Sequence, residues 1–256
     1  MTFGQYIENP MGKANAVFAA RDAYKAEYME KFDAIYMREA GKIDRYLYYD
    51  KAYDAYFAHF KMPSETVKGF YYDVVIRFYT NDNAERVNSS LRNYEVQFFS
   101  NDPAFIYTYL YVFRKLKMLI DDLTNKCPRA SLTQAPEQRN AYEVPGYVKS
   151  IYFAYILMNR TDLFLKTTYH HMGRPYSKST MLSRVMSGTD KMEERREKEA
   201  RQKAQERKTK QPTKTTTQRA NTNTKNKVNI VSRISPISHK RTGNIRRQTY
   251  ITKKAK

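Results

Sequence analysis

The sequence predicts an α+β fold: a mostly helical body with a long N-terminal helix and a small antiparallel sheet, followed by an extended basic C-terminal arm. Three observations predict it. Large apolar residues recur at three- and four-residue steps through the first 60 residues, the period changes to two at Tyr71–Tyr79 and Tyr94–Phe99, and nearly all the Tyr, Phe, Leu and Met precede the last third of the 256 residues. The 41% hydrophobic content therefore builds one core in a unit shorter than the chain. The boundaries read as 1–62 for the helix or helix pair, 63–186 for the α+β body, 187–210 for a charged solvated helix and 211–256 for a basic low-complexity tail.

From Lys13 to about Phe60 the chain is rich in Ala, Glu and Lys and has no Pro. Tyr24, Tyr28, Phe32 and Ile35 fall at helical steps, and Ile43, Tyr46, Leu47, Tyr53, Phe57 and Phe60 resume them after Gly41, giving one long helix or two joined there. The tyrosine content of this stripe suits an interface, because each ring keeps a hydroxyl at its edge. Met62-Pro63-Ser64 breaks the helix. In the first strand Tyr72, Val74, Ile76 and Phe78 form the apolar set, with Asp73, Val75, Arg77 and Tyr79 on the opposite phase. Asp102-Pro103 supplies an N-cap and a first-turn proline for a helix carrying Phe105, Tyr109, Val112, Leu116, Leu119 and Leu123. Lys126–Pro145, with three prolines, reads as an irregular connector, and another helix is expected over Tyr147–Met158. Ser187-Gly188-Thr189-Asp190 marks a boundary with Asp190 as N-cap; the following stretch lacks an apolar face and carries the i,i+4 pairs Glu194–Lys198, Glu197–Arg201 and Glu199–Lys203.

The net charge of +20 is unevenly placed: from Arg207 to Lys256 there are 15 basic residues and no acidic one. Arg207, Lys208, Lys210 and Lys214 open this arm, Arg219, Lys225, Lys227 and Arg233 continue it, and Lys240, Arg241, Arg246, Arg247, Lys253, Lys254 and Lys256 close it. Cations without local counter-charge on a flexible chain attract phosphate backbones by counterion release, so nonspecific, salt-sensitive nucleic-acid binding is expected, DNA above all. A solubilising or targeting tail is the alternative, with Lys240-Arg241, Arg246-Arg247 and Lys253-Lys254 able to serve as a nuclear-import signal. Inside the arm, Val228, Ile230 and Ile234 form an apolar island that reads either as a docking segment for the edge of a partner's sheet or as scattered aliphatics.

Enzyme readings find less support. Asp73 and Glu95, on neighbouring strands, are the pair of carboxylates that a metal-dependent nuclease would need, with Gln97 where such nucleases usually place a lysine. His170-His171 are adjacent and point apart, with no acid or Cys at ligand spacing. No phosphate-binding glycine loop occurs. Arg77, Arg114, Lys117 and Lys149 lie among aromatic residues and could form a stacking surface for single strands, although an interface ranks first. The single cysteine, Cys127, excludes an intramolecular disulfide, and the longest apolar run, Ile151 to Met158, is far short of the roughly 18 residues of a membrane span. A soluble, unsecreted, non-enzymatic chain without cofactor or metal is expected.

The stretch from Tyr72 to Ala154, about a third of the chain, resembles small structural proteins of tailed bacteriophages through its segments Tyr72–Phe78, Asn93–Phe105 and Gly146–Ala154. The resemblance implies a virion component repeated around the head or neck, located in the virion and the host cytoplasm, whose partners are other virion proteins, itself and packaged nucleic acid. It carries no site residues. A freestanding nucleic-acid-binding protein is the alternative, with the nuclease a remote third.

Overall fold

In the computed structural model of the chain, which describes residues 1–8, 18–79, 90–136, 143, 145–146, 148–170 and 176–209, the first helix, α1 (Phe3–Glu8), opens with a reciprocal cap. The Gln5 N–H donates to Thr2 Oγ1 (3.2 Å) and the Thr2 N–H to Gln5 Oε1 (2.9 Å), the capping box that Thr-x-x-Gln encodes. α1 buries Phe3 and Tyr6 against Phe78 and Phe98.

α2 (Phe18–Arg38) stops well short of the expected helix. Ala40 (φ 51°) and Gly41 (φ 72°) both take the left-handed region. The Gly41 N–H donates to the Tyr36 carbonyl (2.8 Å) and the Ala40 N–H to that of Met37 (3.0 Å), the bond pair that closes a helix C-terminus. Beyond it the chain turns into two strands, β1 (Arg45–Asp50) and β2 (Ala55–Pro63). The helical steps read from Ile43 to Phe60 are therefore wrong. The segment is dense in Tyr and Phe, which favour strands, and Lys51–Asp54 is its turn, held by the Ala52 N–H on Asp50 Oδ1 (3.0 Å) and by Asp54 at φ 44°. The strand period is hidden there because β2 is buried on both faces and so shows no alternation.

β3 (Tyr71–Tyr79) and β4 (Glu95–Ser100) complete a four-stranded antiparallel meander in the order β1-β2-β3-β4. After Asp102, whose Oδ1 accepts from the Ala104 N–H (2.9 Å) as the sequence predicts, a π-helical turn (Phe105–Tyr109) leads into α3 (Leu110–Lys115). The helix ends there, before Leu119 and Leu123: Lys117 turns at φ 58°, and Leu119 bridges Phe98 on β4 instead. α4 (Arg129–Thr133) lies inside the expected connector. α5 (Lys149–Arg160) is the apolar helix expected at Tyr147, and α6 (Lys166–His170) and α7 (Lys178–Thr209) follow.

Register assigns the layers. Leu47, Ala58, Phe60, Val74, Ile76, Phe78, Val96 and Phe98 share the face that packs on α1 and α5, and α2 packs behind α5 through Tyr28 and Phe32 on Phe153. Phe32 and Ile35 are buried in this way, so the C-terminal half of the α2 stripe is an internal seam, with Tyr28 half-buried beside it. Tyr46, Tyr48, Phe57, His59, Lys61, Asp73, Val75 and Arg77 share the other face, which α7 covers. α7 runs unbroken through Ser187–Asp190, so Asp190 is mid-helix rather than an N-cap. Met181, Val185, Thr189 and Met192, at steps of four, four and three, are its buried stripe.

Candidate functional site: a buried polar network beneath a basic cleft

The strand pairing opposes Lys61 to Asp73 and sets His59 one step away on the same face. His59 and Asp73, both fully buried, face α7 rather than water, where the alternation had placed Asp73. The Asp73 carboxylate accepts at Oδ1 from His59 Nε2 and Lys61 Nζ (each 2.6 Å) and at Oδ2 from Asn101 Nδ2 (3.0 Å), while Asn101 Oδ1 accepts from the Asp73 N–H (2.7 Å). Burial pushes this carboxyl up, but its bonds to His59 and Lys61 outweigh burial and hold it below the usual carboxylate range. Burial lowers His59, against the pull of Asp73, so the imidazole is neutral. With Asp73 ionised, Nε2 carries the proton and Nδ1 accepts from the Tyr176 hydroxyl (2.5 Å).

This arrangement has the components of a relay but not its geometry. A general base needs a ring nitrogen directed at a substrate, and both nitrogens of His59 are already engaged. α7 closes the network from above: a Cβ built on Gly188 would lie 2.0 Å from Asp73 Oδ2 and 2.8 Å from Asn101 Nδ2. The network therefore works as an anchor, a paired charge whose remaining lone pairs are satisfied and on which the helix backbone rests.

Beside this anchor is a cleft of about 670 Å³, between one face of α7 and the edge of the sheet. Ser183, Arg184, Ser187 and Lys191 line it from α7, all exposed, and Asp44, Tyr46, Lys61 and Gly69–Tyr71 line it from the sheet side. The Arg184 guanidinium lies 4.4 Å from the centre of the Tyr46 ring, a cation–π contact that holds it at the cleft wall.

Other expected sites are not assembled. Glu95 pairs across the sheet with Tyr79, six residues along β3 from Asp73, which separates the two carboxylates by about 20 Å at strand rise. Glu95 faces the N-terminal ammonium (3.6 Å) instead, so the two-carboxylate nuclease centre is overturned. Among the described residues no group of three His, Cys, Asp or Glu could hold a metal. His170 ends α6 and His171 lies outside the described residues. Arg77 stacks on Tyr79 (4.3 Å), Tyr53 and Phe57, Lys149 pairs with Glu65 (2.5 Å), and Arg114 reaches Asp121 (3.8 Å), so these cations do not form one exposed stacking surface with Lys117. Burial pushes the Cys127 thiol up to about 12, which leaves it no nucleophilic character near neutrality. Among the described residues no helix is long and apolar enough to cross a membrane.

Of the arm, Arg207 and Lys208 fall on the last turn of α7; the other thirteen basic residues, with Val228, Ile230 and Ile234, lie outside the described residues. His59, Asn101, Tyr176 and Gly188 were not candidate site residues in the sequence reading, where Gly188 stood only as part of a boundary. The available signal was a histidine inside the apolar run Ala55–Met62 and an aspartate one register step from it, with Val75 sharing the supposedly solvated phase. Comparison with known proteins returned no matching family model, no matching curated protein and no matching solved structure.

Proposed function

We propose that this is a non-enzymatic nucleic-acid-binding protein in which the folded body is a platform and α7 a rigid post that delivers the acid-free arm to a phosphate backbone. The observation that carries the reading is the division of α7. Its first half is packed on the body, against β3 and the turn Asp121–Leu123, with Met181, Val185, Thr189 and Met192 buried, whereas residues 197–206 are exposed. From Met192 to Thr209 the helix spans about 25 Å at helical rise. On the post the charges cancel locally, Arg195 on Glu199 (2.7 Å) and Arg201 on Glu197 (3.4 Å), and the last acid is Glu206. Uncompensated positive charge thus begins where the body ends. The resemblance to bacteriophage structural proteins makes a virion, with its packaged genome, the proposed setting.

The test is the salt dependence of binding to duplex DNA. Each neutralised phosphate contributes about −0.9 to the slope of log K against log salt concentration. The full chain gives a steep slope, and deletion of Pro212–Lys256 makes it shallow and the affinity weak. Equal binding by the shortened chain would mean that the arm is not the binding element.

A further inference from the structure

We infer that the cleft at the root of α7 is a second nucleic-acid contact, a seat for one or two nucleotides of a single strand; this rests on the reading above and assigns it a site within the body. The cleft has the size of a small-ligand site. Its lining includes three cations, Lys61, Arg184 and Lys191, against one carboxylate, Asp44. Lys61 is committed to Asp73 (2.6 Å), whereas neither Arg184 nor Lys191 is ion-paired among the described residues. Ser183, Ser187 and Lys191 repeat every four residues, so two hydroxyls and an ammonium stand in a row along one helix face with Arg184 beside them. That is a donor set for a phosphodiester: a forked guanidinium, an ammonium and two hydroxyls that adapt to either oxygen.

The opposite wall supplies what a base requires. Tyr71, at the start of β3, is 40% exposed, a large ring left open at the rim. Its hydroxyl is tethered to Glu39 Oε2 (3.1 Å), which fixes the ring without covering it. Gly69, beside it, has open space where a side chain would project. An aromatic face opposite a phosphate-binding row is the arrangement by which proteins hold single strands irrespective of sequence, stacking contributing about 1–3 kcal/mol per base. A duplex keeps its bases stacked on one another and offers no free face to Tyr71. The position also suits the arm, since a strand seated at the foot of α7 continues along the post toward Arg207.

The experiment uses the full-length protein and a thymidine octamer carrying 5-bromouracil, cross-linked by ultraviolet light and mapped by mass spectrometry. Cross-links at Tyr71 are expected, and a duplex of the same sequence should not form them. Lys191→Ala and Ser187→Glu, at two exposed positions of α7, should remove the Tyr71 cross-link while the urea midpoint stays unchanged. Lys191→Ala should also reduce the salt slope by about 0.7, the single-strand value for one phosphate contact. Cross-links confined to residues 207–256, with both variants binding as the parent does, would overturn the cleft and leave the arm standing. Equal cross-linking by the duplex at Tyr71 would overturn the single-strand assignment. Failure of the full chain to bind any nucleic acid at low salt would remove the underlying reading together with this one.

Discussion

At the scale of the residue, Gly188 carries the strongest constraint. In the interior of a 32-residue helix a glycine costs about 1 kcal/mol relative to alanine, so propensity alone would favour Gly188→Ala. Packing opposes it, because the new methyl would stand 2.0 Å from Asp73 Oδ2, which is held by Asn101 and has no room to withdraw. Either α7 lifts from the sheet or the carboxylate loses partners in a buried site, and each outweighs the gain in propensity. Gly188→Ala should therefore destabilise the fold by about 3 kcal/mol, read as a lowered urea midpoint at unchanged m value. A midpoint that rises would show that the helix does not rest on the network. The same residue explains a misreading: Ser187-Gly188-Thr189-Asp190 looks like a boundary in sequence, but Gly188 is there because the helix passes close over Asp73 and Asn101, while Ser187 and Asp190 are exposed on the same unbroken helix.

At the scale of the element, what could be read from the sequence depended on how many faces each segment buries. β3 and β4 were readable because their strand period is clear, and α5 because Val148, Ile151 and Tyr155 step as a helix does. β1 and β2 were not: β2, buried on both faces, presents a run of rings with no period of its own, and chance spacings across the Tyr- and Phe-rich pair imitate a helix. The signal that separates them is the termination of α2, carried by Ala40-Gly41. Ala40 occupies the left-handed position that glycine ordinarily fills, at a steric cost of about 1 kcal/mol. Ala40→Gly should accordingly stabilise the protein by about 0.5–1 kcal/mol, measured by thermal or urea unfolding, and a loss of stability would contradict the strained cap. The buried network was harder to foresee than any element, because Asp73 and Asn101 are 28 residues apart and Tyr176 is 117 from His59; only the register of the sheet and the placement of α7 bring them together.

At the scale of the whole molecule, the network couples the covering helix to the sheet through groups that titrate, and its sign can be derived. His59 is held neutral in the folded protein, with its pKa below the ordinary value near 6.5, so below about pH 6.5 the unfolded chain binds a proton that the folded chain refuses. Stability is then complete above that pH and is lost as pH falls, at up to about 1.4 kcal/mol per pH unit for one proton. Asp73, whose pKa is lowered, adds a second loss in the same direction below about pH 4. Asp102 acts oppositely: burial raises its carboxyl, so protonating it on acidification favours the folded state and partly masks the effect of Asp73. The comparison that isolates His59 is the difference in unfolding free energy between the parent and His59→Gln from pH 7.5 to 5. The variant is less stable at pH 7.5, since it breaks the bonds to Asp73 and Tyr176, and its stability falls less steeply between pH 6.5 and 5. Parallel curves over that interval would show that His59 keeps its ordinary titration in the fold, and the anchoring of α7 would then have to reside in Asp73, Lys61 and Asn101 alone.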